Sequence, residues 1–495
     1  MSEKIKKNMF WLWVSSLSSS GSTFIFWVIA SNIAGPGSIG LVSAISSFSI
    51  ILFTISHLEI SQGLKRHISK AAAENHWPQF KQQTTSALIF SLLTSTLILA
   101  FVYNPFFDIF EIVGIDKQFV PIVIMIIFTV GIQSITTTVL VSSFNSKWVF
   151  IPTVVSYGSR IPLLFLFLLF FQNEISIVWS YSLTFLVLSI LLLGIILLFL
   201  KKKEGVFISN TKNNLSIILK ASIPKWIPTI IGVLGMQIGV LAVFSIKGTV
   251  EGGLYYIPLS LFTVLLLFAA SINNVNFSVF SGMKEKIDRE KILQKTLKLS
   301  FLVTLPIGSV IFFNTSLIMQ IFGKGFESSS EILGIFVLSF PLVLISDSIF
   351  YLLYARAKDK EVLLLGLFAT VPRLILYFIL VPEFGGIGAA SSIVVGTGFQ
   401  VALTFWYLHK MKIKLPLLEF TVISIIPFAI GYAIQQTNIG ILGSFVGLIL
   451  TYIILLRLHI IKEQDIGMVV NMIFKNKSST ITEKICSNLK KIYLM

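Results

Sequence analysis

Residues 176–203 read SIVWSYSLTFLVLSILLLGIILLFLKKK. Twenty-five uncharged residues run without a break into three lysines. A helix rising 1.5 Å per residue needs about 20 apolar residues to cross a hydrocarbon core of about 30 Å. The stretch is long enough to span a bilayer, and its lysines mark the end left in the cytoplasm.

The same pattern recurs along the whole chain. About fourteen apolar stretches, separated by short polar turns, begin near residues 9, 38, 84, 118, 149, 176, 222, 254, 299, 332, 361, 386, 416 and 439. Composition agrees: of 495 residues 55% are hydrophobic and only 12% charged, and the mean hydropathy is +0.90. Forty-four Phe are more than one globular core could hide, whereas lipid accepts apolar side chains on every face of a helix. A soluble enzyme, a disordered chain and a secreted disulfide scaffold are excluded. One cysteine, Cys486, makes no internal disulfide, and five scattered histidines with one thiol build no structural zinc site. The first stretch carries Ser15, Ser16, Ser18, Ser19 and Ser20, unlike the apolar core of a cleaved signal peptide.

Lys and Arg number 38 against 22 Asp and Glu, a net charge of +16. With the N-terminus in the cytoplasm, the basic residues gather in alternate loops: Lys65, Arg66 and Lys70; Lys201 to Lys203; Lys284 to Lys298; Arg356, Lys358 and Lys360; Lys410, Lys412 and Lys414; and the C-terminal tail. Lys117, Lys247 and Lys324 alone fall on the outer side. This bias sets orientation, puts both termini in the cytoplasm of a multi-pass cell-membrane protein, and leaves no case for nucleic acid. Anionic headgroups are the partners of the basic loops. In the tail, Met468, Val469, Met472, Ile473, Ile485 and Leu489 among lysines fit an amphipathic surface helix.

One constant offset aligns Lys7 with Lys220, Trp13 with Trp226, Gly40-Leu41 with Gly253-Leu254, Lys147 with Lys360 and Arg160 with Arg373. Each pair occupies the same topological position, which argues for duplication of a six-helix unit. Six is even, so the repeat is parallel, and two such lobes enclose a cleft. The expected organisation is an N-terminal lobe (1–203), a C-terminal lobe (204–415), two added spans (416–460) and a basic tail (461–495).

With that layout, the segment Ala34-Gly35-Pro36-Gly37-Ser38-Ile39-Gly40-Leu41 and its counterpart Glu251-Gly252-Gly253-Leu254-Tyr255 make the chain resemble the multidrug/oligosaccharidyl-lipid/polysaccharide exporter superfamily, and within it the polysaccharide flippases. The resemblance covers nearly the whole chain. It implies an all-helical transporter, not an enzyme and without a cofactor. Its lobes would rock in alternating access to carry a polyprenyl-linked oligosaccharide from the inner to the outer leaflet. A functional link to an outer-face glycan polymerase or transferase would follow.

A charge at bilayer depth costs about 2.5–3.5 kcal/mol or more, so it faces a cavity or a partner. Arg160 and Arg373 lie about eleven and twelve residues into their spans, near mid-membrane at 1.5 Å per residue. Arg160 shares a helix face with Ser156 and Tyr157, Arg373 with Thr370 and Tyr377. A guanidinium fork suits the phosphate of a lipid-linked sugar; the alternative is a buried ion pair, for example with Asp347. Asp347, Glu59 and His57 are the candidates for a proton or sodium coupling site, or for ion pairs. Gln237, Asn273, Asn274 and Asn276 are the polar candidates for sugar binding in spans that the resemblance places along the cleft, and Gly235-x-x-x-Gly239 reads as helix packing.

Many polysaccharide-type relatives carry an acid near the position of Gln237, the multidrug branch an aspartate in span one, and the peptidoglycan-precursor branch an arginine cluster; all three are missing here. The competing readings are a multidrug or cation antiporter of the same fold, and a membrane glycosyltransferase or polymerase. No Walker motif occurs. Asp108, Glu111 and Asp116 read as a solvated loop.

Overall fold

A computed structural model describes residues 3–103, 108–206, 211–282, 286–356, 358–437 and 440–461, with the side chains at 3–6, 9, 101, 268–282 and 286–289 excepted. The C-terminal tail beyond 461, where an amphipathic helix is expected, lies outside the described residues. Those described are helical, with no strand among them. The principal helices are α1 (Glu3–His57), α2 (Ile60–Ala73), α3 (Trp77–Val102), α4 (Val120–Ser142), α5 (Lys147–Gly158), α6 (Arg160–Leu168), α7 (Asn173–Lys201), α8 (Thr211–Lys247), α9 (Thr249–Gly282), α10 (Lys286–Phe313), α11 (Ser330–Leu338), α12 (Phe340–Ala355), α13 (Asp359–Lys410), α14 (Leu417–Gln435) and α15 (Ile441–Arg457).

Among the described residues ten helices are long and apolar enough to cross a membrane, or eleven if 324–338 and 340–355, bent by 45°, count as one. Two of the ten are long enough for two crossings. The apolar part of α1 has 48 residues and α13 has 52, which at 1.5 Å each is about 70–80 Å against a core of about 30 Å. Each contains one residue outside helical geometry: Gly35 (φ 69°) in α1 and Gly385 (φ 54°) in α13. Glycine alone takes such angles without a Cβ penalty, and Pro36 suits the first turn of the segment that follows Gly35. Glu251 closes the second break by accepting the Gly386 N–H at 2.9 Å.

The chain divides into two compact units. The first comprises Met1–Pro258, Met319–Ser329 and Gly366–Gly396. Part of its core is built on α2, which the basic residues Lys65, Arg66 and Lys70 mark only as a loop. The segment is an amphipathic helix: Ile60, Leu64, Ile68 and Ala71 are buried at helical spacing against α3, α4, α7 and α8, and Lys65 and Arg66 stay exposed. Gly63 lets it settle on the Ile218 carbonyl, where a methyl group would overlap.

Within the same unit α1 crosses α9 at two glycines. A Cβ on Gly40 would overlap the Thr249 carbonyl oxygen, and a Cβ on Gly253 would overlap the Pro36 carbonyl oxygen. The offset that aligns the two arginines also separates Gly40 from Gly253 and Pro36 from Thr249. The seating is therefore reciprocal. The chain also breaks at positive φ at the same offset, at Gly35 (φ 69°) and Gly248 (φ 88°).

The second unit comprises Leu259–Ile318, Ser330–Leu365 and Thr397–Met495. Phe262 stacks on Phe336 and Phe340 at centroid distances of 4.9 and 5.5 Å. Lys298 and Glu419 form an ion pair of 2.6 Å between α10 and α14. Tyr452 of α15 donates to the Leu302 carbonyl of α10 at 2.9 Å.

Candidate functional site

Arg160 begins α6, just past the end of α5 at Gly158. Pro162 supplies no N–H to the Gly158 carbonyl and its ring crowds that group, so the helix breaks where the arginine stands. The side chain is 1% exposed. Its Nε donates to Thr184 Oγ1 on α7 at 3.1 Å and its Nη1 to Thr23 Oγ1 on α1 at 2.8 Å. Each threonine gives its own proton to its helix, Thr23 to the Ser19 carbonyl and Thr184 to the Ser180 carbonyl. Their oxygens are left as acceptors for the guanidinium. The Tyr157 and Tyr181 rings lie 4.4 Å from its central carbon, with Phe26 at 5.7 Å and Phe185 at 6.0 Å. Among the described residues no carboxylate pairs with it. Hydroxyl oxygens and ring faces hold this cation, and desolvated cation–π contacts contribute about 2 kcal/mol or more.

Arg373 has a different setting. It stands in unbroken helix on α13 and is half-buried. Gly396, further along the same chain, carries no side chain where the arginine stem passes; a Cβ there would overlap Arg373 Cγ. The fully buried rings of Tyr255 and Tyr377 are near enough to interact electrostatically with it. On either side of it Thr370 Oγ1 donates to the Ile231 carbonyl at 3.1 Å and the Tyr377 hydroxyl to the Gly235 carbonyl at 2.8 Å. The Gly235-x-x-x-Gly239 pair is the bed for these two side chains: methyl groups there would stand 2.7 Å from Thr370 Oγ1 and 2.8 Å from the Tyr377 hydroxyl.

At 100° per residue Gln237 lies about 200° around α8 from Gly235, whose carbonyl accepts from Tyr377. The helix bearing Asn273, Asn274 and Asn276 is α9, but their side chains lie outside the described residues. Several serines of span one serve their own backbone or a neighbour's, as Ser22 does in donating to the Tyr157 carbonyl at 2.7 Å.

His57 and Glu59, close in sequence, face different helices because Leu58 and Glu59 take left-handed backbone angles (φ 48° and 51°). His57 is buried, its Nδ1 is 3.3 Å from Ser91 Oγ on α3, and its ring lies 4.7 Å from that of Phe53. Its Nε2 has no partner among the described residues. Glu59 hydrogen-bonds Thr229 and lies beside Lys225, both on α8. Asp347, on α12 in the second unit, lies beside Tyr351 one turn on.

The loop read as solvated is ordered by its acids. Asp108 accepts the Glu111 N–H at 3.2 Å and pairs with Lys117, which holds its carboxyl below the usual carboxylate range; Asp116 accepts the Gln118 N–H at 3.0 Å.

Sequence reasoning missed the cage of Thr23, Tyr181 and Thr184. One signal was available: Thr397 follows Arg373 at the same interval at which Thr184 follows Arg160.

Comparisons with known proteins place the chain. A lipid II flippase, MurJ, in an inward closed conformation superposes with a TM-score of 0.71 over 89% of this chain and 96% of its own, at 18% identity. A multidrug resistance MATE family transporter of the MOP superfamily, inward-facing, gives 0.66 over 81% and 94% at 16% identity. A MOP superfamily transporter from Pyrococcus furiosus gives 0.59 over 83% and 95% at 15% identity. At such identities these likenesses show the fold. In sequence, 171 residues are 26% identical to a Shigella flexneri protein described as an O-antigen transporter, spanning 34% of this chain and 41% of that relative. Residues 5–284, more than half of the 495, match the family described as polysaccharide biosynthesis protein. With its many apolar helices and the fold of the MOP transporters, this chain is a multi-pass membrane protein that belongs to the polysaccharide biosynthesis protein family.

Proposed function

We propose that this chain flips a polyprenyl-linked oligosaccharide from the cytoplasmic to the outer leaflet by alternating access, and that Arg373 meets the phosphate of the passing lipid. The observation that carries this reading is Arg373 itself. It is a permanent cation placed about twelve residues into a span yet only half-buried, on a member of a polysaccharide family. Arg160, sealed by rings and hydroxyls, holds its own helices together instead. Gln237 and the asparagines of α9 are kept as candidates for the sugar.

Both termini are cytoplasmic in this proposal, and the fourteen crossings take α1 and α13 as two each. The two lobes are 1–203 and 204–415, followed by 416–460 and the basic tail. The reciprocal seating of Gly40 and Gly253 supports the duplication behind that division, since a parallel repeat predicts matched contacts about an axis. A proton or sodium gradient is the proposed driving force, with His57, Glu59 and Asp347 as its candidate sites. A glycan polymerase or transferase consumes the product.

The test is leaflet-resolved accumulation of lipid-linked oligosaccharide in cells lacking the protein. Inner-leaflet accumulation that the wild type corrects and Arg373→Gln leaves uncorrected is the expected result. No accumulation, with altered sensitivity to cationic drugs, would move the assignment to a multidrug antiporter.

A further inference from the structure

Two polar contacts bracket Arg373 on α13. Thr370, three residues before it, bonds the carbonyl of Ile231, and Tyr377, four residues after it, bonds that of Gly235, at 3.1 and 2.8 Å. The donors are seven residues apart and the acceptors four, so the two bonds join successive turns of α8 to one face of α13. Each acceptor is a helix carbonyl, whose second lone pair is open to a side chain. Gly235 and Gly239 bring α8 close enough for both bonds, and Gly396 leaves room for the arginine stem on the other flank.

In lipid no hydrophobic force selects one helix face over another, and interhelical hydrogen bonds between close-packed small residues do much of that selection. A rotation of α13 by one residue, about 100°, would carry the guanidinium to another face. We infer that Thr370 and Tyr377 are positioning residues that fix the rotation of α13 against α8 and so aim Arg373 at its anion. Neither offers its proton to a ligand, because both protons go to α8. The inference rests on the reading that Arg373 meets a lipid phosphate.

The experiment is binding to purified full-length protein in lipid nanodiscs, with two probes: a polyprenyl pyrophosphate and the same polyprenol without phosphate. Tyr377→Phe and Thr370→Val should each weaken binding of the pyrophosphate probe by about three- to tenfold, the range of one hydrogen bond. Binding of the polyprenol should stay constant, and Thr370→Ser should restore the phosphate preference. In the Arg373→Gln background, Tyr377→Phe should add no further loss, because the effect travels through the arginine. Equal losses for both probes, or a loss that persists in that background, would show a packing role and overturn the inference. Weakened Arg373→Gln beside an unaffected Tyr377→Phe would overturn the positioning alone. An unaffected Arg373→Gln would overturn the phosphate reading and the inference with it.

Discussion

Arg160 and Arg373 are separated by the offset that also aligns Gly40 with Gly253, and their surroundings differ. Arg160 stands at a proline-broken turn, 1% exposed, with two threonine oxygens and two tyrosine faces around it. Arg373 stands in continuous helix, half-buried, with its neighbours' hydroxyls turned to another helix. One site seals its cation among rings and hydroxyls, and the other leaves it half-exposed. The same residue type at matched positions is thus enclosed in one setting and half-exposed in the other. The difference lies in enclosure, 1% exposed at Arg160 and half-buried at Arg373.

The largest effect should come from breaking the closed site. Arg160→Leu leaves Thr23 and Thr184 oxygens facing a methyl group and strips the rings of their cation. Losing two hydrogen bonds from a charged donor and the desolvated ring contacts should cost about 3 kcal/mol or more and lower the thermal midpoint of the purified protein. Arg373→Gln should do the reverse, keeping the midpoint within a few degrees while transport drops at least about tenfold, the factor that corresponds to about 1.4 kcal/mol. A folded Arg160→Leu beside an unfolded Arg373→Gln would invert the comparison.

A finer probe is Tyr181→Leu. It removes one ring from the Arg160 cage and should cost about 0.5–2 kcal/mol of stability with transport per folded molecule unchanged. A selective loss of transport would mean that the cage opens to the substrate. The smallest effect is expected far from either arginine. Asp108, held below the ordinary carboxylate range by Lys117, lends order to its loop at neutral pH. A carboxyl with a depressed folded value loses that contribution as pH falls through and below the ordinary range. The protection of the Glu111 amide, the slowing of its exchange relative to an unstructured peptide at the same pH, should therefore fall in acid, and Asp108→Ala should show the low protection at neutral pH already.

Hydropathy carried the fold well because crossing a bilayer is a demand on composition, which a sequence displays directly. A boundary between two apolar stretches near residue 38 was legible for the same reason, and the helix leaves helical geometry close by, at Gly35. α2 was not: its lysines and arginine hid an apolar stripe of four residues that only packing against α3, α4, α7 and α8 makes visible. The closed nature of the Arg160 site was equally hidden, because its hydrogen-bond partners lie 24 and 137 residues away in sequence. Tyr157 and Tyr377 were correctly placed on their arginines' helix faces, yet one covers its arginine and the other turns its hydroxyl to Gly235. Face-sharing gives proximity, and the choice of hydrogen-bond partner is tertiary.

Where two helices meet through side chains, each surface is ordinarily free to change, because a flexible side chain opposite can give way. At Gly40 and Gly253 that freedom is withdrawn. Neither position can acquire even a methyl group, because the obstacle is the facing helix's main chain, which no point mutation trims. The two positions share one fate: neither can gain bulk unless the two helices move apart.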